Sequence, residues 1–93
     1  MDYLKKYNLS ESDLEDIKNS NEIVLYNKLY MYEVTVRENL DYLLSIGFTN
    51  IYDLLKYKLM VVFEDNNNLK SKVNFSNISL INEDIYNLES VGY

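Results

Sequence analysis

Fifteen acids, nine bases and ten tyrosines carry most of the polar chemistry available to this chain of 93 residues. It contains no Cys and no His. Without Cys there is no disulfide, no thiolate nucleophile and no Cys-based zinc site. Without His the usual general base near neutral pH is missing. Two glycines, Gly47 and Gly92, are too few for a glycine-rich phosphate loop. The remaining carboxylates, Lys, Arg, Ser, Thr and Tyr show no paired nucleophile and base, so the sequence points away from an enzyme and calls for no cofactor.

Three groups of side chains are instead spaced to act as surfaces. Glu11, Asp13, Glu15 and Asp16 form an acidic cluster. Acids suit the positive N-terminal end of a helix. A row of carboxylates is also able to imitate phosphates and fill a partner's nucleic-acid site. A metal site is not indicated, because the calcium-loop spacing with its glycine is missing. Lys56, Lys58, Lys70 and Lys72 place four bases within seventeen residues, interleaved with Tyr57. They read either as a phosphate-contacting patch or as lysines lying along apolar surface with their ammonium groups in water. Tyr30, Met31 and Tyr32 fall on no definable helix stripe, and Tyr and Met are types that favour interfaces. The plainer alternative is that both rings pack beneath a loop, with their hydroxyls bonded.

The elements that must position these groups come from a repeat. Asn8 to Ile17 (NLSESDLEDI), Ser45 to Leu54 (SIGFTNIYDL) and Ser79 to Leu88 (SLINEDIYNL) align without gaps at offsets of thirty-seven and thirty-four residues. Leu9, Ile46 and Leu80 match, as do Leu14, Ile51 and Ile85, and then Ile17, Leu54 and Leu88. Such self-similarity marks a repeat architecture. Ser10 with Asp13 forms a capping box, and Leu9 with Leu14 a hydrophobic staple, opening a helix that ends near Asn19 to Asn21. Thr35 with Glu38 is a second capping candidate, ahead of a stripe of Val36, Leu40, Leu43 and Leu44 that Gly47 is placed to end. Thr49 starts the next helix, with a stripe of Ile51, Leu54, Leu55 and Leu59. The short runs Ile23 to Tyr26 and Met60 to Phe63 fit helical turns better than strands, because each follows one helix and precedes another. Glu64 to Asn68 is a polar loop and helix start. Leu69, Val73 and Phe75 then echo Val36, Leu40 and Tyr42, and a last helix spans about Asn82 to Ser90. Leu4 and Tyr7 fall where one end of the stack needs a cover.

Composition is consistent with this. The hydrophobic share of 47% is too high for a disordered chain, and no apolar run approaches membrane-spanning length. No signal-like apolar region follows the N-terminus, so the reading is a soluble, intracellular, cytoplasmic protein with no membrane partner. A net charge of −6 disfavours general attraction to nucleic acid.

From Glu38 to Phe63 the sequence, ENLDYLLSIGFTNIYDLLKYKLMVVF, resembles the helical repeat of the mitochondrial transcription termination factor family (mTERF). Leu43, Ile46, Gly47, Ile51, Leu54 and Leu55 stand at matching positions. The resemblance implies stacked helical units and a surface for duplex nucleic acid. The family's proline before the paired aliphatics is replaced by Glu22 and Leu59, and the family's basic balance by an acidic one. The expectation is one all-α domain over residues 1–93, a short helical-repeat array of about two and a half units and about six short helices. Its leading functional reading is a non-enzymatic protein-interaction module, a small acidic adaptor or inhibitor that binds a protein partner. Nucleic-acid binding and phage-type mimicry of nucleic acid are the alternatives.

Overall fold

Side chains of Ser10, Asn50, Asp65 and Asp84 open helices and Gly47 closes one in the computed structural model, which describes residues 2–93. Six α-helices run α1 (Glu11–Asn19), α2 (Ile23–Met31), α3 (Glu33–Ser45), α4 (Ile51–Tyr57), α5 (Asn66–Lys72) and α6 (Ile78–Glu83). Three 3-10 helices complete the set: η1 (Asp2–Tyr7), η2 (Leu59–Phe63) and η3 (Ile85–Val91). Among the described residues there is no strand, and the fold is all-α.

The capping box at Ser10 forms as its spacing requires. Asp13 N–H donates to Ser10 Oγ at 3.0 Å, and Ser10 N–H donates back to Asp13 Oδ2 at 2.9 Å. Leu9 and Leu14 are both buried. At the far end of α3, Gly47 takes φ +97°. Phe48 N–H then reaches Leu43 O at 2.9 Å and Gly47 N–H reaches Leu44 O at 3.1 Å, the paired bonds of a Schellman turn. The runs Ile23 to Tyr26 and Met60 to Phe63 are helical, one opening α2 and the other forming most of η2.

Several finer expectations change. Thr35 is not a cap: α3 starts two residues earlier, and Tyr32 alone separates it from α2, serving as C-cap of one and N-cap of the other. The stripe of α3 is Val36, Asn39, Leu40 and Leu43, while Leu44 is exposed. Asn50, not Thr49, caps α4, and its side chain accepts from Asp53 N–H. Leu59 is buried as expected, but it belongs to η2 beyond a break at Lys58. The last helix is two elements, because Asp84 ends α6 in extended backbone and its carboxylate accepts from Tyr86 N–H to open η3. Leu80 is exposed where Leu9 and Ile46 are buried. It lies inside α6, whose core face is taken by Ile78 and Ile81, three residues apart. Phe75, matched to the half-buried Tyr42, is 77% exposed in the turn after α5.

The buried pairs Leu14/Ile17, Ile51/Leu54 and Ile85/Leu88 hold in all three copies. Their elements form a row in which α1 packs on α4 and α4 on η3. A second group packs α5 and η2 on α3, with η2 also meeting α2 and α4. At the beginning of the chain, η1 buries Tyr3, Leu4 and Tyr7. The Tyr3 hydroxyl donates to Leu29 O at 2.6 Å and that of Tyr7 to Asp41 Oδ1 at 2.7 Å, fastening η1 to α2 and α3.

Candidate protein interface

Helix α2, IVLYNKLYM, has Asn27 and Lys28 as its only polar residues besides the tyrosine hydroxyls, yet the fold covers only one of its sides. Tyr26 and Leu29 are buried and Leu25 is half-buried. At 100° per residue, Tyr30, Ile23, Asn27, Met31 and Val24 follow one another around the opposite side. Met31 is 71% exposed and Val24 70%, with Ile23 and Tyr30 also exposed. Four large apolar or aromatic side chains left exposed on one helix make an unpartnered face. Beyond it, Tyr32 lies edge-on against Phe63 with ring centroids 6.2 Å apart. Met60 and Phe63, with Glu64 and Tyr93, line a hollow of about 270 Å³. Tyr30, Met31 and Tyr32 therefore stand on the surface and not beneath a loop, and Ile23 and Val24 join them. Those two were legible as members of an apolar run, but nothing local marked which side of the helix would be left open.

The four acids of α1 do not form a row. Asp13 is occupied in the capping box. Asp16 points the other way, toward α4, where it accepts from the Tyr52 hydroxyl and pairs with Lys56 at 3.0 Å. Glu11 pairs with Lys5 at 2.6 Å, and the contact holds its carboxyl below the usual range. Burial raises the Tyr26 hydroxyl above its ordinary value, with Tyr30, Glu15 and Glu11 adding to the effect. Among the described residues Glu15 and Glu22, the latter at the N-cap of α2, have no ion-pair partner.

The four lysines are held in contacts within the chain. Three of them are linked through shared tyrosines: Lys58 and Lys72 both meet Tyr93, and the Tyr57 and Tyr86 rings beneath Lys56 and Lys58 touch. Lys56 is held by Asp16, which raises its ammonium above the ordinary value. Lys58 bonds Glu89 at 3.2 Å and Tyr93 O at 3.0 Å. Lys72 lies 3.6 Å from Glu64. All four also sit over tyrosine rings: Lys56 over Tyr52 and Tyr57, Lys58 over Tyr86, Lys70 over Tyr42 and Lys72 over Tyr93, at 4.8 to 5.6 Å. Such contacts give each lysine a structural role.

A second concavity of about 360 Å³ lies between α4 and the α6–η3 corner, lined by Asp53, Tyr57, Asn82, Glu83, Asp84 and Tyr86 among others. Asp53 accepts from Asn50 at 2.7 Å and Asp84 caps η3, so two of its three carboxylates are engaged in local turns. Among the described residues no group of three potential metal ligands is present, and no helix is long and apolar enough to cross a membrane. Compared with protein-family models, curated proteins and solved structures, the chain matches none.

Proposed function

We propose that this chain is a non-enzymatic protein-interaction module, a small acidic adaptor or inhibitor, and that its partner docks on the outward face of α2. The observation that carries this reading is the solvent-facing set Ile23, Val24, Tyr30 and Met31 on a helix whose other side is in the core. Aromatic and methionine side chains are the types that dominate interface cores. Tyr32, directly after Met31, adds an exposed ring that packs edge-on against Phe63. The pairing of Lys56, Lys58 and Lys72 with carboxylates of the chain itself favours a protein partner over a phosphate backbone.

The test compares the wild-type chain with a Val24→Lys/Met31→Lys variant as baits under identical conditions. Both sites are well exposed, so the variant should keep its helical circular dichroism and its melting temperature to within a few degrees. A partner retained by the wild type and lost by the variant is the expected result. Identical recoveries from both baits would remove the α2 face from the reading.

A further inference from the structure

The stretch from Ile23 to Val36 is helical in the fold although its residue types favour strands. Eight of its fourteen residues are Ile, Val, Thr or Tyr. Such side chains lose rotamer freedom in a helix and fit a pleated surface. The stretch has no Gly or Pro, and its two charges, Lys28 and Glu33, cancel. Capping does not supply the missing preference. Helices α2 and α3 both begin without a side-chain cap, unlike α1, α4 and α5, and only Tyr32 stands between them.

A helix as short as α2, nine residues, holds by packing more than by propensity. That packing is one-sided. Tyr26, Leu29 and Val36 are buried, while Val24, Met31 and Val34 are each at least 70% exposed. A clasp comes from η1, where the Tyr3 hydroxyl donates to Leu29 O at 2.6 Å and the Arg37 guanidinium lies 5.2 Å from the Tyr3 ring. Extended, the same residues have another order. Alternation sets Tyr30, Tyr32, Val34 and Val36 on one face of a strand, with Met31, Glu33 and Thr35 on the other. Seven residues of high strand preference, with one charge and neither Gly nor Pro, suit strands that pair with copies of themselves. Chains break their local rules where a function needs it.

We propose that Ile23 to Val36 is a conformational switch, helical in the single chain and turning into strands that pair with the same stretch of further copies once η1 lets go. The partner in that state is the chain itself, joined through backbone hydrogen bonds. Docking on α2 keeps the helix folded; the switch concerns what the stretch becomes when it opens.

The test agitates the full chain a few degrees below its melting temperature and follows thioflavin fluorescence and circular dichroism, each variant being shown to start helical. The expected product has a strand signal, a fibre reflection at about 4.7 Å, and slow hydrogen exchange over residues 23–36. Val24→Ala/Val34→Ala favours the helix and should lengthen the lag about fivefold. Val24→Thr/Val34→Thr removes apolar surface but keeps the poor helix preference, so its lag should stay within about twofold of wild type. Tyr3→Phe loses only the hydroxyl of the clasp and should shorten the lag about threefold. No assembly, an amorphous product, or exchange protection centred elsewhere would overturn the proposal. So would equal lags for the Ala and Thr pairs, or a Tyr3→Phe lag equal to that of the wild type.

Discussion

Among single residues, Asn39 does most to show how this small fold is held together. It is fully buried and is the one polar side chain in the core of the described residues. Its amide donates to Val62 O at 2.9 Å and Glu64 O at 2.8 Å, and its oxygen accepts from Asn66 at 2.9 Å. One side chain on α3 thus satisfies the end of η2 and touches the first residue of α5. Asn39→Ala leaves the buried Val62 carbonyl without its donor and should cost about 2–3 kcal/mol, measured by urea unfolding. Asn21 and Asn82 act similarly at other joints. Asn21 donates to Ile17 O and, across to α4, to Leu55 O at 3.1 Å. Asn82 donates to Gly47 O at 2.9 Å and accepts from Thr49 N–H at 3.1 Å. The abundance of Asn and Tyr has a structural use here, whatever its origin in composition.

At the scale of elements, the turn from α3 into α4 is the most demanding joint. Gly47 holds φ +97°, where a side chain would find no steric obstacle nearby, so the cost of adding one is set by backbone alone. Gly47→Ala should therefore destabilise by about 1–2 kcal/mol, visible as a lowered melting temperature with no change in the unfolding slope. This joint was legible in the sequence, as were the capping box at Ser10 and the three buried aliphatic pairs, because each depends on neighbours within one turn. Asn39 was half-legible: it sits three residues after Val36 and four before Leu43, on the apolar stripe, where a polar residue asks for a partner. That partner lies twenty-three or more residues away, which spacing within a helix cannot reveal. The start of α3, the break at Asp84 and the exposure of Leu80 were missed for the same reason. They are decided by how short elements share the core, and gap-free alignment of the copies assumes that the sharing is identical.

As a whole molecule, the helices draw together into a compact body. Its radius of gyration is 12.3 Å, close to the roughly 12 Å of a compact domain of this length, and its extents are 32 × 24 × 23 Å. Tyrosine hydroxyls tie the helices across long stretches of chain. Tyr3 reaches Leu29 O, Tyr7 reaches Asp41, Tyr42 reaches Val73 O at 2.7 Å and Tyr93 reaches Glu64 at 2.9 Å. Burial raises the hydroxyls of Tyr3, Tyr7, Tyr26, Tyr42 and Tyr93, and the carboxylate partners of Tyr7 and Tyr93 raise them further. A proton held more tightly in the folded state than in the unfolded one stabilises below the ordinary value of 10.0, and that stability is lost as pH climbs past it. In an alkaline titration the phenolate absorbance of these five should appear only together with loss of helical circular dichroism. Ionisation of all ten before any unfolding would contradict these bonds.

The asparagine joints also set how this protein ages. Side-chain amides are among the least heat-durable groups in a polypeptide. Hydrolysis at Asn21, Asn39 or Asn82 would convert a donor facing carbonyl oxygens into a carboxylate that repels them. While folded, Asn39 is shielded from water. Once the chain is held unfolded and hot, that shield is gone, and the damage accumulates with time at temperature, not with the number of heating cycles.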